Sequence, residues 1–428
     1  MNHFYFGSSI NCINVSGKTV KEAENELPDQ VKSYILNLKE RGGKTEQIRG
    51  ADIELTYSPD GQVQNLKNEQ SPFGWIFSFY NTKNYKITGG ILYNKELLKI
   101  RLSNLSCIKS NNITEPKNPG FQYANNGYVI TPEVKGNKIN YEVLLDYASK
   151  SISKLENSID LESINCYVNP EYNSSSQKVT DVKNTLNKYV SSKITYTLGE
   201  HREILDGSII NKWINIDDNL KVTFDEEKVK NYLAELSRTY DTVGKARNFK
   251  TSSGKTIKIS GGDYGWLINT YKEAEDLVAA IKEGQTISKK PTYSQTAFSY
   301  NDNDIGNTYL EIDLTKQHLW FYKDGSLVVQ GDVVTGNVSH NTATPAGIYR
   351  VKYKQKNAVL NGPDYSSPVT FWMPFNGGIG LHDASWRSVF GGNIYKTSGS
   401  HGCVNAPYYL AKTVFNVIEA GDPVVCYY

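Results

Sequence analysis

The sequence predicts a multidomain protein in which α+β modules precede a mostly-β C-terminal domain. Its 428 residues are enough for two to four domains, and 39% of them are hydrophobic, which allows buried cores. In the first 290 residues, a strand, a turn, a capping residue and an amphipathic helix recur. After residue 305 the apolar period changes from that of helices to that of strands.

The first helix carries a signal at its start. Thr19 is followed three residues later by Glu22, which is the pattern of a capping box. We expect Pro28 to limit this helix, because proline lacks a backbone N–H and clashes with the preceding turn. Alternating apolar residues over 34–38 then predict a half-buried strand.

Later helices carry similar signals. Asn140 precedes one helix with an apolar face, and Asp225 precedes another directly after the strand 222–224. Residues 255–281 again give a strand, a glycine turn and a helix, which Gly284 closes.

This recurrence favours two related α+β modules, which we assign to residues 1–125 and 126–290. Residues 291–304 are polar and contain proline, a composition typical of a linker. Residues 305–428 form the predicted C-terminal domain.

The C-terminal domain has the pattern of an antiparallel sheet. Residues 309–314 alternate between apolar and polar, and the turn 323–325 joins two further strands as a hairpin. Asn405 is a suitable N-cap for the last helix, and Pro407 suits its first turn. A closing strand follows at 424–427.

Composition argues against several classes of function. The net charge of +2 lacks the basic excess of a nucleic-acid-binding surface. No apolar stretch is long enough to span a membrane or to act as a signal peptide. The five cysteines show no C-x-x-C pair and no cluster with histidine, which argues against a zinc site or a thioredoxin-like motif. Cys12, Cys107, Cys166 and Cys426 suit small buried apolar positions, and their disulfide state stays open.

The segment 400–405, Ser-His-Gly-Cys-Val-Asn, is the strongest candidate for chemistry. A cysteine nucleophile needs a thiolate, a base and donors for an oxyanion. Cys403 precedes the predicted last helix, whose partial positive charge at the N-terminus favours a thiolate. Gly402 leaves the backbone accessible to a developing oxyanion. His382 ends an apolar run, and we expect this run to be an adjacent strand that presents the His382 ring to Cys403 as a base.

With this motif, residues 305–428 resemble the YkuD-type L,D-transpeptidase catalytic domain. Seventeen residues separate His382 from Ser400, which agrees with the spacing in the family's signature. Residues 312–319 are similar to the family's opening strand pair, and 344–349 to its Thr-Pro-x-Gly-x-aromatic turn. The resemblance implies a β-sandwich with a short helix after the catalytic cysteine.

Residues 1–290 resemble, more loosely, the peptidoglycan-binding modules that accompany such domains in some Gram-positive bacteria. The two α+β modules are therefore expected to bind peptidoglycan.

The family resemblance assigns catalytic roles to six residues. They are His382, Asp383, Ser400, His401, Gly402 and Cys403. Cys403 would be the nucleophile and His382 the general base. The backbone carbonyl of Asp383 would be the third member, and a role for its side chain stays open. The amides of Gly402 and Cys403, with His401 nearby, would form the oxyanion region.

Two further residues, Trp386 and Asn405, would line the substrate cleft. The segment 352–375, with its turn at 361–363, would form a lid over the donor peptide. Simpler roles also stay open: His401 bracing its loop, Trp386 packing, and Asn405 acting only as a helix cap.

The implied reaction joins two peptidoglycan stem peptides. A donor tetrapeptide would be cleaved after its third residue, held as a thioester on Cys403, and transferred to a diaminopimelate amine of an acceptor stem, giving a 3→3 cross-link. The resemblance implies no metal or other cofactor, and carbapenem inhibitors would acylate Cys403. An L,D-carboxypeptidase with the same residues is one alternative, and a non-catalytic wall-binding scaffold is another. A papain-like hydrolase fits poorly, because there the histidine follows the cysteine.

The expected location follows from the substrate. Peptidoglycan lies outside the membrane, so we expect an extracytoplasmic protein, in the cell wall or membrane-anchored and facing it, in a Gram-positive bacterium. Any contact with a membrane would come from an N-terminal anchor or signal preceding His3.

Overall fold

The chain folds into two compact units, described here from a computed structural model. The structure describes residues 2–300 and 303–428, apart from 72–73, 75, 77–81, 88, 110, 112 and 363–364. The units consist of Met1–Gln122 with Val129–Lys183, and of Tyr123–Tyr128 with Asn184–Tyr428.

The helices are short to medium in length. In chain order they are α1 (Val20–Lys32), α2 (Gln62–Asn68), α3 (Lys95–Ser103), α4 (Ser106–Lys109), α5 (Tyr141–Ser153), α6 (Gln177–Val190), α7 (Gly207–Ile210), α8 (Glu226–Tyr240), α9 (Thr270–Lys282), α10 (Ile394–Thr397) and α11 (Tyr408–Val417), with 3₁₀ turns at Gly50–Ile53 and Asn211–Trp213.

The strands concentrate in the C-terminal part. Up to residue 160 they are β1 (Ser8–Ile10), β2 (Ile13–Asn14), β3 (Ile35–Lys39), β4 (Thr45–Arg49), β5 (Thr56–Tyr57), β6 (Lys83–Tyr85), β7 (Ile91–Leu92), β8 (Gly120–Ala124), β9 (Gly127–Thr131) and β10 (Ser158–Asp160). Between 193 and 295 they are β11 (Lys193–Leu198), β12 (His201–Leu205), β13 (Ile214–Ile216), β14 (Val222–Phe224), β15 (Arg247–Lys250), β16 (Thr256–Ile259), β17 (Leu267–Ile268), β18 (Thr286–Lys289) and β19 (Tyr293–Gln295). The last nine are β20 (Tyr309–Asp313), β21 (His318–Lys323), β22 (Ser326–Asp332), β23 (Gly347–Arg350), β24 (Gln355–Gly362), β25 (Tyr365–Asn376), β26 (Ile379–Asp383), β27 (Val404–Ala406) and β28 (Pro423–Tyr427).

Helix α1 begins as predicted but does not end at its proline. Thr19 and Glu22 form the capping box. The helix then continues through Pro28, so the prediction that Pro28 limits it is wrong. The reason is packing, because Ala23, Leu27 and Val31 lie fully buried on one face of α1. Burying Leu27 and Val31 contributes about 1.5–3 kcal/mol each, which offsets the roughly 3 kcal/mol that an interior proline costs.

The predicted caps of the later helices are confirmed. The Asn140 side chain accepts the N–H of Val143 at the start of α5. The Asp225 carboxylate accepts the N–H of Lys228 at the start of α8. The predicted strand over 34–38 corresponds to β3, which pairs with β4 and β10.

In the second unit, the hairpin of β15 and β16 packs against the C-terminal domain. Phe249 and Ile259 of this hairpin share one buried cluster with Ile348, Val425 and Tyr427. The sheet that contains β23 and β28 is therefore covered by an element from the preceding region.

The segment 291–304, predicted as a linker, contains β19 and ends at a buried carboxylate. Asp304 is 2% exposed and forms a bidentate ion pair with Arg247, with Nη2 2.8 Å from Oδ2. Because both charges are buried, each depends on the other for a partner.

The C-terminal domain consists of two sheets around one core, as predicted. One sheet has the order β22-β21-β20-β28-β23 and the other β24-β25-β26-β27. The core between them draws side chains from both sheets and from α11; among them are Ile312, Phe321, Met373, Leu381, Val404, Leu410 and Val414. The predicted hairpin turn at 323–325 joins β21 to β22.

The last helix begins later than predicted. Its N-cap is Pro407, and Asn405 lies inside β27, so the prediction that Asn405 caps the helix is wrong. Asn405 uses its backbone N–H and carbonyl to bond Val334. Strand pairing of Val404–Ala406 thus takes the groups that a helix start would have used.

All five cysteines are free, including the four whose disulfide state the sequence left open. Cys166 and Cys426 are buried as expected, and Cys107 is intermediate; Cys12 is exposed, so the expectation of a buried position is wrong for it.

Candidate active site

Parallel pairing of β26 with β27 brings the two candidate catalytic segments together. Leu381 is in register with Val404, and His382 with Asn405. Because side chains alternate along a strand, Leu381 and Val404 enter the core while His382 and Asn405 face the other way. Cys403 directly precedes β27 and lines the same pocket as Asn405.

These side chains line a pocket of about 170 Å³. The lining residues are Leu360, Ser367, His382, Trp386, Arg387, Gly399, Ser400, His401, Cys403 and Asn405. Six of the eight site residues predicted from the sequence are among them; Asp383 and Gly402 support the pocket from behind.

His382 is held by the backbone carbonyl of the next residue. Its Nδ1 lies 2.9 Å from the Asp383 carbonyl oxygen. Since a carbonyl only accepts, Nδ1 carries the proton and Nε2 is left as the basic nitrogen. The ring is 3% exposed, and burial lowers the pKa of His382. The neutral imidazole, which is able to accept a proton, is therefore favoured.

The thiol of Cys403 packs against an apolar cluster. That cluster contains Ala358, Val369 and Trp372. Burial raises the pKa of the Cys403 thiol, and the N–H of Gly380 opposes this by donating to the sulfur.

The sequence-based reason for a thiolate at Cys403 is thus wrong. Cys403 precedes a strand, and the helix whose dipole was to stabilise the thiolate begins only at Tyr408. A partly buried thiol beside a neutral imidazole is the resting arrangement that these surroundings favour.

The Asp383 side chain has a separate contact from its carbonyl. Its Oδ1 accepts the backbone N–H of Thr370 at 2.8 Å and that of Phe371 at 2.7 Å. The carboxylate therefore joins β26 to β25, while the carbonyl orients His382.

The loop before Cys403 depends on a glycine and a serine. Gly402 has φ +123°, a conformation that favours glycine, and a Cβ there would lie 3.2 Å from the Ile379 side chain. The Gly402 N–H donates to Ser400 Oγ at 3.0 Å, and that hydroxyl donates to the Cys403 carbonyl. Ser400 thus braces the loop.

Thr344 is a supporting residue that the sequence analysis placed in a motif without giving it a role. Its hydroxyl donates to the Gly402 carbonyl at 2.7 Å and accepts the Gly336 N–H at 3.0 Å. The Thr-Pro-x-Gly motif was the available signal.

The predicted lid segment contributes to the pocket. Leu360 of β24 and Ser367 of β25 are directly paired, and both line it. Of the predicted turn, Asn361 and Gly362 lie in β24, and Pro363 lies outside the described residues. Neither Leu360 nor Ser367 was singled out from the sequence, and neither was Arg387.

The two predicted substrate-binding residues differ in exposure. Trp386 is 51% exposed, and its ring centroid lies 5.8 Å from that of His382. Asn405 is 3% exposed, and its buried Oδ1 has no hydrogen-bond partner in the described part of the chain. Packing does not account for Trp386, and helix capping does not account for Asn405.

Comparison with protein families agrees with this geometry. The YkuD model, described as the L,D-transpeptidase catalytic domain, matches residues 307–426. A model described as "Putative peptidoglycan binding domain" matches 47–160 and 172–288, more than half of the chain. The chain belongs to the L,D-transpeptidases.

The predicted enzyme class, a peptidoglycan L,D-transpeptidase, is therefore confirmed. The two domain types associate this L,D-transpeptidase with the cell wall. Among the described helices, none is long and apolar enough to cross a membrane.

Solved structures of L,D-transpeptidases are similar to the chain. A Cys-to-Ser mutant of the Enterococcus faecium enzyme is 34% identical, over 59% of this chain and 100% of that one, with a TM-score of 0.47. The E. faecium catalytic domain acylated by ertapenem is 43% identical, over 28% of this chain and 98% of that one, with a TM-score of 0.27. An L,D-transpeptidase from Mycobacterium smegmatis is 20% identical, over 28% of this chain and 59% of that one, with a TM-score of 0.25. None of the curated proteins compared with the chain matches it.

Proposed function

We propose that this L,D-transpeptidase forms 3→3 cross-links through a thioester on Cys403, with His382 as general base. The observation that carries the proposal is the shared pocket of Cys403 and His382, in which Nδ1 is bonded to the Asp383 carbonyl. The other ring nitrogen is then the one available for proton transfer.

In the acylation step, the Cys403 sulfur attacks the carbonyl carbon of the third residue of a donor tetrapeptide. His382 takes the thiol proton as the S–C bond forms. The bond between the third and fourth residues then breaks, and His382 returns the proton to the leaving amine. The products are a thioester and the free fourth amino acid.

In the transfer step, the side-chain amine of an acceptor diaminopimelate attacks the thioester. His382 removes a proton from this amine, the new amide C–N bond forms, and the sulfur leaves and is reprotonated. Trp386 and Asn405 line the peptide cleft in this scheme, and the unpartnered Asn405 Oδ1 accepts a peptide N–H.

Stabilisation of the oxyanion is assigned to the loop 400–403. The Cys403 N–H has no partner among the described residues, which supports it as a donor. The Gly402 N–H donates to Ser400 Oγ, so it stabilises the oxyanion only when substrate binding breaks that hydrogen bond. His401 completes this region.

The modules before the catalytic domain, with boundaries at 1–125 and 126–290, are proposed to bind peptidoglycan and to deliver the enzyme to its substrate. The linker is proposed at 291–304 and the catalytic domain at 305–428. Because peptidoglycan lies outside the membrane, the proposed location is extracytoplasmic, at the wall of a Gram-positive bacterium.

Carbapenems are the proposed inhibitors. The similar E. faecium catalytic domain is acylated by ertapenem. By analogy, the strained β-lactam carbonyl of a carbapenem acylates Cys403.

The test uses the full chain and its Cys403→Ala variant with a disaccharide-tetrapeptide, and separately with a carbapenem, read by mass spectrometry. A Cys12→Ala variant, which removes an exposed thiol, is the matched control. We expect a dimeric muropeptide and a single drug adduct with the parent and the Cys12→Ala variant, and neither with Cys403→Ala.

Tripeptide without dimer would establish an L,D-carboxypeptidase with the same residues. Absence of turnover and of adduct in the parent would overturn the proposed function and favour a wall-binding scaffold.

A further inference from the structure

Arg387 is a cation in the catalytic pocket to which the proposed function gives no role. It directly follows Trp386 in the loop after β26, and its backbone N–H donates to the Ala384 carbonyl at 3.0 Å. Its side chain lines the same pocket as Cys403 and His382.

The described part of the chain offers the guanidinium of Arg387 no charged partner. Within the described residues it forms no ion pair, and its buried Nε lacks a hydrogen-bond partner. None of the described residues that line the pocket is acidic, and the Asp383 carboxylate is bonded to the N–H groups of Thr370 and Phe371.

Another arginine in the same unit shows the contrast. Arg247 is buried, and Asp304 accepts two of its hydrogen bonds while backbone carbonyls accept others. A buried donor left unsatisfied is costly, so Arg387 is suited to a partner that arrives with the substrate.

We propose that Arg387 binds a carboxylate of the peptide substrate beside the reacting cysteine. A guanidinium presents planar, paired donors that match a carboxylate and bind it in a bidentate manner. This inference rests on the proposed function.

Two carboxylates of the reaction have this chemistry. The leaving fourth residue carries its carboxylate on the carbon next to the scissile nitrogen, which is the atom that His382 protonates. The acceptor diaminopimelate carries another beside its reacting amine. Arg387 lines the same pocket as His382 and Cys403, so each of these two carboxylates is a candidate partner.

The test compares donor tetrapeptides with a free or an amidated C-terminus, and acceptors with a free or an amidated diaminopimelate carboxylate. The enzymes are the full-length parent, Arg387→Gln and Arg387→Lys, with Arg238→Gln as a control at an exposed arginine. The kcat/KM for consumption of donor and for formation of dimer is followed by chromatography and mass spectrometry. The rate of iodoacetamide alkylation of Cys403 checks that the nucleophile is intact.

We expect Arg387→Gln to lower kcat/KM at least tenfold, mainly through KM, for the partner that bears the recognised carboxylate. Amidating that carboxylate should lower the kcat/KM of the parent by a similar factor and change that of Arg387→Gln little. With the free carboxylate, Arg387→Lys should recover part of the kcat/KM that Arg387→Gln loses. A loss confined to donors assigns the leaving residue, and a loss confined to acceptors assigns diaminopimelate.

Equal kcat/KM for free and amidated substrates in the parent would overturn the inference. A fall in kcat/KM of Arg387→Gln that is the same for free and amidated substrates would also overturn it. Since the parent is tested on both kinds of substrate, the result does not depend on how well the variants fold. Failure of the parent to turn over any tetrapeptide would instead contradict the proposed function.

Discussion

His382 Nδ1 faces the backbone carbonyl oxygen of Asp383 at 2.9 Å, so the tautomer of the proposed base is determined by the main chain. No side-chain substitution at 383 removes that acceptor. The Asp383 carboxylate has other partners, the N–H groups of Thr370 and Phe371. The two roles of this residue are therefore separable by mutation.

Asp383→Asn should retain most of the activity, because the amide oxygen still accepts these N–H groups and the carbonyl is unchanged. Asp383→Ala should lower the free energy of unfolding by about 1–3 kcal/mol for the N–H groups it leaves unpaired. Urea denaturation and the rate of carbapenem acylation measure the two effects. A large fall in the acylation rate of Asp383→Asn, with an unchanged free energy of unfolding, would point instead to a catalytic carboxylate.

The pH dependence of Cys403 follows from its burial. Burial raises the pKa of the thiol, so at neutral pH less thiolate is present than for an ordinary cysteine. We expect the alkylation rate of Cys403 to rise with pH and to reach half its maximum above the ordinary value of about 8.5. Peptide mapping by mass spectrometry separates Cys403 from the other four cysteines, and glutathione is the reference. A midpoint well below that of glutathione would indicate a resting thiolate–imidazolium pair.

The acid side of the profile depends on His382, whose pKa is lowered by burial. A histidine with a lowered pKa stays neutral to a lower pH, so acylation should persist further into acid than an ordinary imidazole, with pKa about 6.5, allows. The acylation rate at saturating carbapenem, followed from pH 4 to 8, measures this. A half-maximum above pH 6.5 would contradict it.

Gly402→Ala tests the loop before the nucleophile. The φ of +123° and the 3.2 Å approach to Ile379 both disfavour a Cβ at this position. We expect acylation to fall by at least tenfold, because a shift of this loop displaces Cys403. Gly377→Ala is a control with positive φ but open space around it. Equal effects of the two variants would show that close contact at Gly402 is unimportant.

Thr344→Val tests the support of the same loop from the other side. The variant keeps the shape but loses the bonds to the Gly402 carbonyl and the Gly336 N–H, which should cost about 1–3 kcal/mol of stability and slow acylation. Thr344→Ser keeps the hydroxyl and should restore both. Denaturant unfolding and acylation rates are the measurements, and a serine variant as impaired as valine would argue against the hydrogen bonds.

Arg247→Ala tests the packing of the hairpin β15–β16 on the catalytic domain. It leaves Asp304 buried and without its ion-pair partner, which should cost about 3–5 kcal/mol. Arg238→Ala, in an exposed pair with Glu235, should have no measurable effect. Urea denaturation of both variants provides the comparison, and equal midpoints would show that Arg247 and Asp304 contribute little.

Local patterns predicted much of the fold. Thr19 with Glu22, Asn140 and Asp225 each start a helix, because these caps act on N–H groups a few residues away in the chain. The pattern failed at Pro28, where burial of one face of α1 outweighs the local cost of proline. It failed again at Asn405, where pairing with β26 replaces a helix cap.

For the site, the sequence by itself determined the motif around Cys403, the upstream His382 and hence the family. Only the tertiary structure decided that Cys403 directly precedes a strand, that burial favours its thiol, and that Arg387 lines the pocket with no partner for its Nε among the described residues. The physical reason is that the motif is a local chain property, whereas burial and the pairing of charges depend on residues far apart in sequence.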